Sequence, residues 1–302
     1  MLSARGVRVR MIARPINPSD LIPITGAYRS RLAPPFVPGF EGVGRIVEVG
    51  SQTHGFAVGD RVLPLGKNGT WAEEIVADAD WCVPVPAAFG DDDAAQLYIN
   101  PTTAWWIMRR ELDLKPGDGI AVNACGSAIS RMFLAIAKAR GLRFIAIVRG
   151  AQRARQWRDA GADRVIDREL EDIGAVLAGE AGALRVKAGL DAVGGADGLA
   201  MAQALPAGSS FIHYGLLSGR PLPGDLSARV GEAVDIRLFW LRNVVHAMDG
   251  AGRAALFRDL FDFFKEHPVA LPVEARYRLA DIGAALAHHE RSGRNGKILL
   301  VD

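Results

Sequence analysis

From Gly119 to Val148 the chain passes from apolar run to small-residue turn to helix to apolar run, an order that few folds accept. Gly119-Ile120-Ala121-Val122-Asn123-Ala124 is too short for a helix and reads as a buried strand. Helical spacing is predicted from about Ala128 to Ala139, and Gly141 stops it. Phe144-Ile145-Ala146-Ile147-Val148 is a second buried strand. Strand, helix and strand inside about 30 residues make a βαβ unit, whose two strands lie parallel. The alternation continues through Val165-Ile166, Gly189-Leu190-Asp191-Ala192-Val193 and Ser210-Phe211-Ile212-His213-Tyr214. The middle of the chain is therefore predicted to be α/β, a doubly wound parallel sheet with helices on its faces.

The flanks read differently. Val7 to Ile12 and Gly44 to Val49 alternate apolar and charged residues at period two, as half-buried strands do. Arg61 to Leu65 follows a Val58-Gly59-Asp60 turn, and Pro34, Pro35 and Pro38 mark a loop that cannot be helical. The chain up to about Tyr98 is predicted to be a mainly β domain. From about Arg253 an amphipathic helix ends near Glu266, and a last strand from Lys297 to Val301 is expected to rejoin the first domain. The expected division is 1–103 for a β domain, 104–250 for the parallel-sheet domain and 251–302 for the return.

The 302 residues leave room for two cores. A composition 49% hydrophobic and 23% charged is that of a globular protein. Lys+Arg 36 against Asp+Glu 34 gives no general field for nucleic acid or a membrane surface. Two cysteines, Cys82 and Cys125, exclude a disulfide framework or an all-cysteine zinc site. No apolar run reaches the roughly 18 residues of a membrane helix. The start lacks a signal-peptide core, so a cytoplasmic enzyme is expected.

The turn after the first parallel strand, Ala124-Cys125-Gly126-Ser127-Ala128-Ile129-Ser130, is where such folds receive a pyrophosphate on backbone N–H groups. Its small residues suit that approach, and Gly126, Ser127, Ala128 and Ile129 are the candidate contacts. It carries one glycine where G-x-G-x-x-G has three, so a ligand-free turn stays an open alternative. Arg149 directly follows the second strand, where an NAD enzyme usually has an acid, and Arg153 and Arg155 come next. Arginine there suits a 2′-phosphate, hence NADPH; a solvated basic turn is the alternative.

Eight segments resemble the medium-chain dehydrogenase/reductase superfamily, in family order. They are Ile16-Asn17-Pro18-Ser19-Asp20, Gly26-Ala27-Tyr28, Pro38-Gly39-Phe40-Glu41-Gly42-Val43-Gly44, Val58-Gly59-Asp60-Arg61-Val62, Asn100-Pro101-Thr102-Thr103-Ala104, Leu114-Lys115-Pro116-Gly117-Asp118, Asp191-Ala192-Val193-Gly194-Gly195 and Phe239-Trp240-Leu241. The chain looks most like the zinc-independent branch, which holds quinone reductases and 2-enoyl thioester reductases. That resemblance implies a GroES-like β domain and an inserted Rossmann domain. Zinc-dependent relatives place a cysteine and a histidine where this chain has Asn17 and Phe40, and neither is a usual zinc ligand. No metal is expected.

In the enoyl reductases a tyrosine matching Tyr28 is implicated in binding or protonating the enoyl thioester, and a tryptophan matching Trp240 lines the same pocket. An aromatic prop in a proline-rich loop is the other reading of Tyr28. The resemblance also assigns Asn17 and Asn100 to the nicotinamide ribose, with Thr103 nearby. It assigns the loops at Val193-Gly194 and Tyr214-Gly215 to the cofactor, and Lys297 to its phosphates. Family members precede the first strand with a further strand pair, so one edge of the first domain stays unassigned here. Two further glycines of the family's phosphate loop are Ala128 and Ser130 here.

The expectation is thus an NADPH-dependent reductase of an activated C=C bond, foremost of a 2-enoyl thioester. A quinone or enone reductase is the near alternative, and a non-catalytic nucleotide-binding relative the distant one. Arg29, Arg31, Arg109, Arg110 and Arg242 are candidates for a CoA or carrier-protein partner, with an ordinary solvated surface as the alternative. A homodimer through the Rossmann sheet edge is expected, with Ser210-Phe211-Ile212 and Leu238-Phe239-Trp240-Leu241 as its strands.

Overall fold

The computed structural model describes residues 2–24, 34–66, 69–291 and 293–302. Tyr28, Arg29 and Arg31 lie outside the described residues. In chain order the first elements are β1 (Gly6–Pro15), α1 (Pro18–Leu21), β2 (Val43–Val49), β3 (Arg61–Pro64), β4 (Glu74–Asp78), β5 (Cys82–Pro84), α2 (Asp91–Ala94) and α3 (Ile99–Trp106). Next come β6 (Gly119–Val122), α4 (Ala128–Ala139), β7 (Arg143–Val148), α5 (Ala151–Asp159), β8 (Arg164–Asp167), α6 (Ile173–Glu180), β9 (Val186–Asp191), α7 (Gly195–Ala204), β10 (Ser210–His213), α8 (Leu226–Val230) and β11 (Asp235–Leu238). The last are α9 (Leu241–Ala247), α10 (Gly250–Glu266), β12 (Val273–Arg278), α11 (Ile282–Glu290) and β13 (Lys297–Val301).

The chain divides into two compact units, one of Met1–Thr102 with Leu241–Asp302, the other Thr103–Trp240. In the first, the described strands form a sheet of order β12-β13-β1-β2-β3-β5, with β4 also on β1. Val7, Val9 and Met11 of β1 point inward onto Ile46, Val62 and Ala77. The alternate residues Arg8 and Arg10 point outward and pair across the sheet with Glu48 and Glu74, at 2.8 and 2.9 Å. One face is buried and one wet, as the period-two pattern requires. β13 lies antiparallel beside β1, Ala13 opposite Val301. The wholly buried Arg14 ties the two strand ends: it donates to the Ala72 carbonyl at 2.5 Å and to Asp302 at 2.7 Å.

In the second unit all pairings are parallel, in the order β11-β10-β9-β6-β7-β8. Its strands are nearly continuous apolar runs because helices cover both faces. Ala121, Ile145, Ile166, Leu177, Met201 and Phe211 belong to the core packed against this sheet. Winding starts at β6, runs outward to β8, then reverses through β9 to β11, so the switch lies between β6 and β9. One expectation is corrected here. Ser210-Phe211-Ile212 lies in β10, which is paired on both sides, and Leu241 opens a helix, so among the described residues β11 is the outer strand at that end. Among the described residues no helix is long and apolar enough to cross a membrane.

Candidate functional site

Open α/β sheets bind ligands at the carboxyl ends of their strands, beside the switch in winding. Asn123 directly follows β6, Asp191 ends β9 and His213 ends β10, and all three side chains meet. Asp191 is fully buried. It accepts from Asn123 Nδ2, from His213 Nδ1 at 2.6 Å, and from the Val193 and Gly194 N–H groups at 2.9 and 3.1 Å. Burial alone would push this carboxyl up, but the hydrogen bonds from His213, Asn123 and the backbone hold it below the usual carboxylate range. The loop after β9 is thereby fixed. Gly194 sits at φ +72°, and a Cβ there would stand 2.7 Å from the Arg220 carbonyl, so the turn admits no side chain.

The turn after β6 is tied from within. Ala124 takes a positive φ of 52°, and the Ser130 hydroxyl donates to the Ala124 carbonyl at 3.2 Å while lying 3.1 Å from Ser127 Oγ. The Trp157 indole N–H donates to the Cys125 carbonyl. Gly126 itself is exposed, and a Cβ there would meet only the Arg153 guanidinium, Nε at 3.7 Å. Behind it α4 opens at Ser127 with no side-chain cap and no acid in its first turn. Open backbone, an uncapped helix start and an adjacent guanidinium fit a phosphate group.

Arg149 stands at the end of β7, 65% exposed at its side chain, with Glu169 at 4.0 Å. Ile129 faces the core, so only its backbone could meet a ligand. The Tyr214 phenol is also turned inward, edge-on to Phe133 at 5.6 Å, with its hydroxyl buried and unpaired. Trp240 is half-buried just past β11.

The first unit holds a second polar centre. Asn17 caps α1; its Nδ2 donates to Glu41 Oε1 at 2.7 Å, and its Oδ1 accepts from Lys297 Nζ. Glu41 also accepts from the Ile99 N–H at 2.7 Å, at the start of the helix that carries Asn100 and Thr103. Asp20 accepts from the N–H groups of Asn17 and Phe40, at 2.8 and 2.9 Å. Burial pushes the Asp20 carboxyl up to about 7 and raises Glu41 as well, while burial lowers Lys297. The Lys297 ammonium is thus engaged with Asn17. Asp20, Glu41, Asn123, Asp191 and His213 were not candidates in the sequence reading. The available signal was an acid set among glycines and apolar residues, as in Phe40-Glu41-Gly42 and Leu190-Asp191-Ala192, which an exposed acid does not need. The sequence-predicted residues Gly126, Ser127, Ala128, Arg149, Arg153, Val193, Gly194, Tyr214 and Gly215 all fall in the second unit; Asn17, Asn100 and Lys297 fall in the first.

Comparison with known proteins agrees with this architecture. Residues 3–87 match the alcohol dehydrogenase GroES-like domain, and residues 160–300 match the zinc-binding dehydrogenase family. The mitochondrial enoyl-[acyl-carrier-protein] reductase of Caenorhabditis elegans is 30% identical, over 94% of this chain and 83% of its own length. That of Xenopus tropicalis is 31% identical, over 98% and 87%. Among solved structures, a Bacillus thuringiensis protein assigned as an NADPH:quinone reductase is 36% identical, covering 100% of this chain and 92% of that one, with a TM-score of 0.94. With both units matched in family order and relatives aligned along nearly the whole length, the chain belongs to the medium-chain dehydrogenase/reductase superfamily, on the branch that holds these enoyl reductases.

Proposed function

We propose that this chain is an NADPH-dependent, zinc-independent reductase of the C=C bond of a 2-enoyl thioester. The observation that carries the cofactor reading is the basic, open face beside β6 and β7, where Arg153 lies against Gly126 and the exposed Arg149 is paired only loosely, with Glu169 at 4.0 Å. Gly126, Ser127, Ala128 and the backbone of Ile129 would receive the pyrophosphate, and Arg149 with Arg153 the 2′-phosphate. The Val193-Gly194 and Tyr214-Gly215 loops would hold the nicotinamide end, with Asn17, Asn100 and Thr103 at its ribose. Lys297 acts through Asn17, whose amide it orients together with Glu41.

NADPH, when bound, supplies hydride to the substrate Cβ. The chain must then stabilise negative charge on the thioester oxygen and see a proton reach Cα. Tyr28 is assigned both tasks, its hydroxyl donating to that oxygen or delivering the proton, while Trp240 lines the pocket. Zinc is not needed for this chemistry. The positions where zinc-dependent relatives carry ligands are Phe40 and Asn17, and both ends of the Asn17 amide are committed to Glu41 and Lys297.

One steady-state comparison of crotonyl-CoA, a naphthoquinone and an alkenal, each with NADPH, tests the reading. Crotonyl-CoA is expected to give the highest kcat/KM. The reverse order would favour a quinone reductase, the reading supported by the likeness to the Bacillus thuringiensis protein. No turnover of any of the three, with NADPH fluorescence still changing on mixing, would indicate a non-catalytic nucleotide-binding relative. Tyr28→Phe should lower turnover of crotonyl-CoA by roughly 10²–10⁴-fold while leaving NADPH affinity unchanged. Full activity in that variant would remove Tyr28 from the mechanism. The protein is also read as a homodimer, joined through the free edge of its parallel sheet.

A further inference from the structure

The Asn123–Asp191–His213 chain has one open end. Asp191 is buried and held in its charged form by four donors, so the His213 nitrogen facing it at 2.6 Å must carry a proton. The neutral ring is therefore the Nδ1–H tautomer, with its lone pair on Nε2. No hydrogen bond from the described residues reaches Nε2, and it is not one of the sealed unpaired polar atoms; 16% of the side chain is exposed. The ring edge at Cε1 lies 3.5 Å from where a Cβ on Gly194 would stand, so it borders the glycine turn after β9.

Bracing that turn does not require the imidazole. Asn123, Val193 N–H and Gly194 N–H already hold the Asp191 carboxylate, and the Ser218 hydroxyl closes the loop onto the Val193 carbonyl at 2.6 Å. What the arrangement adds is a ring locked in one tautomer and orientation, with its outer nitrogen free, at the strand ends beside the winding switch. A side chain fixed in advance loses little freedom when a ligand arrives.

We propose that His213 is a further cofactor-binding residue, its Nε2 accepting a hydrogen bond from an amide or hydroxyl group of the bound dinucleotide. This rests on the NADPH reading above. The neighbouring Tyr214 hydroxyl cannot take the role, because it is buried against Phe133.

The test is fluorescence titration of NADPH into wild type and His213→Asn. The asparagine amide can still donate to Asp191 but places nothing where Nε2 stands. The dissociation constant is expected to rise roughly 3–12-fold, the worth of one hydrogen bond, with the melting temperature of the cofactor-free protein preserved. The 3-acetylpyridine analogue of the cofactor lacks the amide N–H. If the donor is the amide, wild type and variant will bind the analogue alike; if it is a ribose hydroxyl, the same ratio will persist. In ¹⁵N NMR, the Nε2 resonance of the neutral wild-type ring should move when NADP⁺ is added. Unchanged NADPH affinity in His213→Asn, or an Nε2 resonance that NADP⁺ leaves in place, would overturn the assignment of His213 alone. Failure of the wild type to bind NADPH would overturn the cofactor reading and this inference together.

Discussion

At the scale of single residues, the distinction between an exposed ionisable group and a buried one decides what each can do. Arg149 has its nearest described acid, Glu169, at 4.0 Å, and both side chains are more than half exposed, so that pair contributes little. The guanidinium is available for a 2′-phosphate. Arg149→Ala should weaken NADPH binding by roughly 1.5–3 kcal/mol and leave NADH almost untouched. Equal losses for the two cofactors would make Arg149 structural. Asp20 illustrates the opposite case. Burial raises its carboxyl to about 7, reinforced by the charge on Glu41, against the pull of the Asn17 and Phe40 N–H groups and of Lys297. The unfolded chain releases the same proton near about 3.9. Between those two values the folded protein binds more protons than the unfolded one, so stability falls as pH rises through the window. Asp20→Asn should reduce that slope by up to about 1.4 kcal/mol per pH unit, read as melting temperature at several pH values. Glu41, also raised, adds a slope of the same sign that the variant keeps. A variant slope equal to that of wild type would show that Asp20 stays ionised throughout. Arg149 could be named as a candidate from sequence because its place follows from the strand just before it. Asp20 and Glu41 could not be paired with a cation, since the lysine that joins them through Asn17 is 280 positions from that residue.

At the scale of elements, local signals succeeded where an element satisfies itself locally. Helix α4 runs from Ala128 to Ala139 as its apolar spacing predicts, and Leu142 resumes the buried apolar path into β7 after Gly141 turns at φ +64°. Short helices such as α1 gave no such signal: four residues carry no period, and α1 is set by Asn17 and Asp20 capping each other's ends. The turn after β6 is intermediate. Its small residues marked it, but the effect of Ser130 in place of a glycine depended on contacts that no spacing encodes. Ser130 is fully buried, and its hydroxyl spans the turn to the Ala124 carbonyl. The serine therefore acts as a tie, supplying from a side chain some of the rigidity that a glycine-rich turn draws from close backbone packing. Ser130→Ala removes that tie while keeping the volume near β6. It should cost about 1 kcal/mol of stability and weaken NADPH binding without altering the NADPH/NADH ratio. Denaturant unfolding and cofactor titration would check both. A variant as stable as wild type, with unchanged affinity, would mean that the backbone alone holds the turn.

At the scale of the whole molecule, the question is how the parallel sheet ends. Its two outer strands differ. On β8, Arg164 is occupied by Glu171 at 2.5 Å and Glu180 at 3.0 Å, so charged side chains guard that end. On β11, Arg237 folds back onto Asp235 and the Glu111 carbonyl, which leaves Leu238 78% exposed beside an unpaired backbone edge. A strand with an open ladder and an exposed leucine at its end favours pairing with its own copy. Antiparallel addition of β11 to β11 about a two-fold axis satisfies both ladders with one self-complementary contact. The alternative, β10 as an interface strand, is closed off because β9 and β11 already flank it. Light scattering at micromolar concentration is therefore expected to give a dimer. Leu238→Arg should shift it toward monomer, because the contact would then have to bury a charge in place of an apolar side chain at each end of the paired strands, with little change in the fold of either protomer. A monomeric wild type would refute the dimer. A variant that remains dimeric would refute this edge as its interface, because an arginine at each end of the paired strands would lose solvent without gaining a free acid, Asp235 being held by Arg237.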